Sequence, residues 1–390
     1  MKYPKPPQKS FLQHRNPKRG TSNPQNMTNP FWQWVVQTED TGYTNNEAFD
    51  GPSSFDEGPC WSFDRFGQTK TQLPDGRMVY IGGEHEDSYD PDFYIYNDIV
   101  IITPDGEITI YGYPEKDFPP TDFHSATLHG KEIILIGALS YIENRDPSET
   151  QVLRLNTEDW SIKKQKTTQP PGWISKHQHT YQPTSKTIQI STPQKWTSEN
   201  DLATDFSTWE LNLTTWAWQC IEQKNWSQYK LSRSDGEMNN LWNIRHHLEM
   251  EAVGMSHVNV SDYLHGDDMD EEMKAQIQES LDEMAQDSKK LASNTDLSLV
   301  PNLYKPSTPH TCVELPEIDL DEEDEESYIE YNSHCIEIAG THIKFFEESD
   351  SVIMRVEGIL SNETITSILN ETCKNLANLE STPYSHKQIS

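Results

Sequence analysis

Residues 83–92, Gly-Glu-His-Glu-Asp-Ser-Tyr-Asp-Pro-Asp, hold the densest chemistry in the chain. Five carboxylates and one imidazole fall within ten residues. Such an oxygen-rich run can hold Ca²⁺, but the spacing matches no EF-hand and there is no central glycine. The alternatives to a metal site are a solvated loop and a loop that touches another protein. A second polar stretch, residues 140–150, carries Tyr141 and Arg145. Together the two stretches nominate Glu84, His85, Glu86, Asp87, Tyr89, Asp90, Asp92, Tyr141 and Arg145 as partner-binding residues. They are nominated for contact; no catalytic residue, metal ligand or cofactor is expected.

Three histidines, His124, His177 and His179, invite a metal hypothesis. With the acidic stretch they define the alternative reading, a metal-dependent enzyme. His246 and His247 are adjacent, so a helix would point them apart. No nucleophile elbow, phosphate loop, HExxH or CxxC pattern occurs. The five cysteines, at 60, 220, 312, 335 and 373, are scattered and lack metal spacing. They fit reduced thiols in a cytoplasmic protein.

Loops of this kind need rigid elements to hold them, and residues 132–160 show which. An apolar strand, Ile133-Ile134-Leu135-Ile136, stops at Gly137-Ala138. After the polar stretch comes a second strand from Gln151 to Leu155, then an Asn156-Thr157-Glu158-Asp159 turn, then Trp160 opening a third. Upstream, residues 123–128 offer an outer partner strand. An earlier copy reads Met78-Val79-Tyr80-Ile81, Gly82-Gly83, Asn97-Asp98, Ile99-Val100-Ile101-Ile102 and Ile108-Thr109-Ile110-Tyr111. A later copy reads Thr187-Ile188-Gln189-Ile190, Ser191-Thr192, then Trp209-Glu210-Leu211-Asn212-Leu213 and Trp216-Ala217-Trp218. The stops fall at 82, 137 and 191, intervals of about 55 and 54 residues, the scale of a four-stranded repeat. One such repeat cannot bury both of its faces, so the copies should stack.

At Gly82-Gly83, Asn97-Asp98, His124-Ser125-Ala126, Leu155-Asn156-Thr157 with Trp160, and Leu211-Asn212 with Trp216, the chain resembles the kelch-repeat β-propellers, the superfamily that includes the galactose-oxidase central domain. The resemblance covers roughly residues 60–220. It weakens in the third copy, where Ser191-Thr192 replaces the glycines. It implies a mainly β fold of propeller blades and a role in protein binding. A histidine near position 124 belongs to the kelch-like pattern and implies a hydrogen bond within the blade. Kelch propellers usually close with six or seven blades; three are recognisable here, so the ring is either finished by degenerate blades or incomplete. Copper chemistry of the galactose-oxidase kind needs tyrosine ligands and a cross-linked cysteine, and neither Cys60 nor Cys220 matches that context, so the activity is not carried over.

The formal net charge of −32 argues against nucleic acid and anionic membrane as partners and favours a basic protein. With 33% hydrophobic residues and a mean hydropathy of −0.81, part of the chain is expected to lack a core. No apolar run approaches the ~18 residues of a membrane helix, and no signal peptide is expected. Residues 1–29, with six basic residues and no acid, read as a disordered arm. Residues 30–225 read as the kelch-like propeller, opened by a short helix at Pro30 and with Cys60-Trp61-Ser62-Phe63 as an outer strand. Residues 226–300 read as helical, with one apolar face at Leu241, Ile244 and Leu248 and a Met-rich stripe over 267–291. Residues 301–327 form an acidic linker, with a carboxylate run at 317–326. Residues 328–380 read as a small β-β-β-α module with a hairpin at Gly340-Thr341.

The reading favoured is a non-catalytic binding or scaffold protein whose rim loops contact a basic partner, with inhibition or sequestration of that partner as one form of the role. Oligomeric state is left open.

Overall fold

The computed structural model describes residues 2–52, 57–87, 90–197, 202–252, 278–279, 286, 290, 295–313 and 333–390. The fold is mainly β, with several antiparallel sheets and few helices. It divides into two units, Met1–Lys224 and Asn225–Ser390.

Helix α1 (Gln8–His14) and strand β1 (Gln25–Asn26) open the first unit, followed by helices α2 (Pro30–Thr38) and α3 (Gly42–Ala48). Asn29 caps α2 by accepting from the Phe31 and Trp32 amides, and Pro30 fills a first-turn position whose N–H is not needed. Residues 2–29, expected as a disordered arm, are ordered because single side chains anchor them. Phe11 is fully buried against Phe31 and Phe49. Arg15, also buried, donates to Asn46 Oδ1 and to the carbonyls of Pro52 and Glu57.

Three antiparallel meanders follow. The first is β2 (Thr69–Gln72), β3 (Met78–Ile81), an inserted hairpin β4 (Glu84–Asp87) and β5 (Asp90–Ile95), then β6 (Asp98–Ile102) and β7 (Ile108–Gly112). Strand β1 pairs with β7 as a fifth strand. The second is β8 (Ser125–His129), β9 (Glu132–Ile136), β10 (Val152–Asn156) and β11 (Ile162–Lys164). After the short β12 (Ile174–Ser175), the third has β13 (Gln178–Gln182) and β14 (Thr187–Ser191), an insertion of β15 (Gln194–Trp196) and β16 (Leu202–Thr204), then β17 (Thr208–Asn212) and β18 (Ala217–Glu222). Strands β12, β15 and β16 form a small sheet of their own.

Alternation along the strands decides how the meanders pack. Val79, Ile81, Ile99 and Ile101 of the first sheet share a core with Ile133, Leu135, Leu153 and Leu155 of the second. The opposite face of the second sheet, through Ile134, Ile136 and Val152, packs on Ile188, Ile190, Leu211 and Trp218 of the third. The remaining face of the first sheet, Val100, Ile108 and Ile110, is covered by Phe31, Trp32, Trp34 and Val35 of α2. The remaining face of the third sheet is polar: Thr180, Gln189, Glu210 and Gln219 stand in register across its four strands.

Four details differ from the expectations. The strand expected on the outside, β8, is the one that meets β2 and β13, so the first strands mark the edge where the sheets converge. Cys60-Trp61-Ser62-Phe63 is not a strand. It is buried by side-chain bonds instead, with Trp61 Nε1 donating to Asp98 Oδ2 at 2.9 Å. Trp160 sits in the turn at φ 61°, and the strand resumes at Ile162. Within the acidic stretch, residues 84–87 and 90–92 are not open loop but lie in the paired strands β4 and β5, Glu84 opposite Ile95 and His85 opposite Tyr94.

The second unit is a six-stranded antiparallel sheet. Its strands are β19 (Ser227–Arg233), β20 (Thr311–Val313), β21 (Ser333–Ile338), β22 (Thr341–Glu347), β23 (Ser351–Glu357) and β24 (Tyr384–Gln388), in the order β20-β21-β22-β23-β19-β24. Helices α4 (Leu241–Ala252) and α5 (Asn362–Glu380) complete it. Ser361 caps α5 through the Thr364 amide, and Ile368, Leu369 and Leu376 pack on Ile343, Phe345 and Met354. The three strands and helix expected over 328–380 are therefore part of a larger sheet, to which β19, 100 residues upstream by sequence, contributes a central strand. The Met-rich stripe, apart from residues 278–279, 286 and 290, and the carboxylate run 317–326 lie outside the described residues. Among the described residues no helix is long and apolar enough to cross a membrane.

Candidate functional site

Each meander of the first unit carries its insertion between its second and third strands. The three insertions are β4–β5, the stretch around a 3₁₀ turn at Ile142–Asn144, and β15–β16. Antiparallel pairing puts the end of the second strand beside the start of the first, as Ile136 stands opposite Ser125. The insertions and the segments leading into the first strands therefore share one end of each sheet.

The lead-in residues Gly67, Phe123 and Lys176 are all left-handed, at φ 61°, 45° and 45°. They form a backbone chain: Phe123 N donates to Gly67 O and Lys176 N to Phe123 O, both at 2.9 Å. The next residue in the second and third copies is a histidine. His124 Nε2 bonds Thr69 Oγ1 at 2.8 Å, and His177 Nε2 bonds Ser125 Oγ at 2.9 Å. Each bond runs from one sheet to the one before it. Burial pushes both imidazoles down to about 3, helped by the neighbouring histidines. Glycine is needed beneath these contacts: a Cβ at Gly82 would collide with Thr121 O, and one at Gly137 with Ile174 O. His124 and His177, weighed as metal ligands only in the alternative reading and expected to bond within their own blade, instead link each sheet to the one before it. Among the described residues no group of three His, Cys, Asp or Glu side chains is placed to hold a metal ion.

Glu84 and Arg145, far apart in sequence, both lie near a residue that sequence reasoning missed, Asp122. Its carboxyl is fully buried, and Oδ1 accepts from the Ser140 amide at 2.6 Å. No N–H or O–H donor of another group reaches Oδ2 among the described residues. Burial holds the Asp122 carboxyl above its usual range, while the Ser140 amide, the Glu84 side chain and the Arg145 charge draw it back. Arg145 is turned to its own loop, donating to the Leu139 and Ser140 carbonyls at 2.9 and 3.0 Å. Tyr141 Oη accepts from the Ile95 amide at 3.0 Å and its ring stands edge-on to Phe93 at 5.9 Å. His85 is buried. Tyr89, and the side chains of Glu86, Asp87, Asp90 and Asp92, lie outside the described residues.

The same end exposes apolar side chains. Phe66 is 58%, Phe93 44% and Ile142 61% exposed. Lys176 lies 4.2 Å over the Phe123 ring. None of these was nominated from sequence, because an isolated aromatic in a loop has no periodic signature. A separate polar cleft of about 480 Å³ runs beside the second sheet, lined by Glu115, Asn144, Asp146, Gln151, Lys164 and Trp173 among others. No nominated residue lines it.

No family model matches the chain, and no curated protein matches it. Among solved structures, one titled "Structure of YjhT" is similar over 42% of this chain and 73% of that one, at 10% identity and a TM-score of 0.26.

Proposed function

We propose that the three meanders are blades of a kelch-like, propeller-type stack that is left incomplete, and that the chain is a non-catalytic protein-binding protein. Its contact surface is the end that carries the insertions. The observation that carries this reading is the group of exposed apolar side chains at the insertion end of adjoining sheets: Phe66 just before β2, Phe93 on β5 and Ile142 in the second insertion. Exposed apolar residues scattered singly are ordinary, but several at one loop end of a rigid scaffold mark an interaction site. An aromatic anchor within an acid-rich stretch of sequence suits a partner that presents an apolar residue flanked by lysine or arginine. The net charge of −32 extends that complementarity over long range and speeds encounter with a basic protein.

The test is affinity capture with the intact chain, repeated with Phe93→Ser/Ile142→Ser. A stoichiometric basic partner, lost with the double variant and weakened by salt, is the expected result. Capture that is unchanged by the double variant would move the contact elsewhere, and an acidic or nucleic-acid partner would overturn the charge argument.

A further inference from the structure

We propose that His334 is a proton-operated release for helix α4 of the second unit: neutral, it accepts from Arg245 and helps pin the helix to the sheet, and protonated, it takes the place of Arg245 on Glu347. Four side chains build the joint. Arg245 of α4 forks onto Glu347 at the end of β22, Nε to Oε2 at 3.2 Å and Nη2 to Oε1 at 2.8 Å. The same Nη2 lies 2.9 Å from Nε2 of His334 on β21. Tyr304, just past a 3₁₀ turn at Leu297–Asn302, donates to Glu347 Oε1 at 2.5 Å. Its ring lies tilted against the His334 ring, 4.9 Å between centres.

A guanidinium only donates, so the contact fixes His334 Nε2 as the acceptor and places the ring proton on Nδ1. A proton added to Nε2 sets N–H against N–H and cation against cation at 2.9 Å. The nearest relief is Glu347 Oε1, 3.9 Å away. That oxygen already takes one donor from Arg245 and one from Tyr304, so both lone pairs are used and a third donor must displace one of them. Tyr304 is buried and stacked on Phe345, which leaves the half-buried Arg245 as the group that gives way. The His334 side chain is 40% exposed, so the proton arrives from solvent without unfolding. Among the described residues, the charged and titratable groups that face the ring are Arg245 from α4, Glu347 from β22 and Tyr304. Burial and the Arg245 charge push the imidazole down to about 4, against the pull of Glu347. The folded value is depressed, so docking of α4 is full above pH about 6.5 and is lost as the pH falls toward 4. The start of α4 stays tethered, because the Asn240 amide donates to Glu380 Oε1 at 2.6 Å and Leu241 is buried. Release therefore frees the turns beyond Arg245.

Amide hydrogen exchange of the full chain between pH 7 and pH 4.5, corrected for the intrinsic rate, reads the release. Protection of amides 246–252 should fall about tenfold for each pH unit below about 6.5, while α5 stays protected. His334→Gln keeps an acceptor for Arg245 but does not titrate, so its α4 should give a flat profile. The ring ¹⁵N and ¹³C signals of His334 at pH 7 should be those of the Nδ1–H tautomer. An α4 whose protection is flat in the unmodified chain, one that loosens as steeply in His334→Gln, or an Nε2–H ring overturns the proposal. If His334→Gln fails to fold, the tautomer and the coincidence of ring protonation with helix release in the unmodified chain decide instead. The joint lies wholly in the second unit, so no outcome depends on what the insertion end of the first unit binds.

Discussion

The first and third sheets of the first unit have the same four-strand order, but they finish their outer faces in opposite ways. The first sheet is apolar on both faces and needs α2 to cover the second one. The third sheet is apolar only toward its neighbour; its other face is a row of Thr180, Gln189, Glu210 and Gln219. A further sheet packed on that row would have to bury amides and a carboxylate, which is unfavourable without new partners. End repeats of stacked architectures carry polar outer faces for this reason. The comparison teaches that a stack of three repeats can be completed by a helical cap at one end and a polar face at the other.

The largest effect expected from breaking the contrast lies under the first sheet. Arg65, whose side chain is fully buried, pairs with Asp98 at 2.6 Å and stacks over the Tyr96 ring. Asp98 also accepts from Trp61 Nε1. Asp98→Ala leaves a buried guanidinium without its partner and should lower unfolding stability by about 3–5 kcal/mol in urea denaturation. A loss under about 1 kcal/mol would mean that water reaches the pair and that the first sheet is no more closed than the third.

Next come the strand ends. Gly82 and Gly137 are left-handed and lie under the lead-in carbonyls of the following sheet. The equivalent residue of the third sheet is Thr192, also left-handed at φ 49°. Among the described residues of the first unit no further lead-in follows the third sheet, so a Cβ meets no such carbonyl there. Gly82→Ala combines the left-handed penalty with a backbone collision and should destabilise by about 2–4 kcal/mol. Thr192→Gly removes only the strain of a branched residue and should stabilise by up to about 1 kcal/mol. Thermal unfolding of both variants would break the comparison if the signs came out alike.

This contrast also shows how much could be read from residues alone. The glycine stops, the Asn156 and Asn212 turns and the tryptophans after them were legible, because each is a local device repeated at a fixed interval. The loss of glycine at Ser191-Thr192 was legible as decay of a repeat, but its cause, the end of the stack, depends on which sheet packs next. Residues 2–29 escaped notice because their order rests on Phe11, Arg15 and a two-residue strand, none of which has a period. Asp122 was missed because it gains its meaning from the Ser140 amide, 18 residues away, when two loops converge. Of the nominated set, Glu84 and Arg145 lie near Asp122, and Tyr141 instead holds the Ile95 amide.

The histidine links sharpen the comparison through pH. His124 and His177 are held near 3 in the folded chain, while the unfolded chain takes up protons near the ordinary imidazole value. Their folded values are depressed, so the stability they allow is full above pH about 6.5 and falls as the pH drops toward 3. Each contributes a slope of about 1.4 kcal/mol per pH unit within that window. His124→Gln keeps a donor for Thr69 and should reduce the acid-side slope by one proton in urea titrations from pH 7 to pH 5. An unchanged slope would show that the ring already protonates in the folded state and that the link between the sheets is open to water.

The smallest effect belongs to the polar face. Glu210 accepts from Gln189 Nε2 at 3.0 Å and from Thr187 Oγ1 at 3.1 Å, and Thr187 keeps a second partner in Ser185 at 2.8 Å. All the groups that Glu210→Ala would release can turn to water or to that remaining bond, so the loss should be under about 1 kcal/mol. The informative partner variant is Gln189→Leu/Gln219→Leu, which makes this face resemble the buried faces of the first sheet. Sedimentation velocity should show the unmodified chain unaffected by concentration in this respect and the double variant self-associating, because an apolar sheet face without a cap seeks another surface. If the double variant behaves like the unmodified chain while Glu210→Ala destabilises by 3 kcal/mol or more, on the order of a buried-charge loss, the third sheet is covered after all and the two ends of the stack are not different in kind.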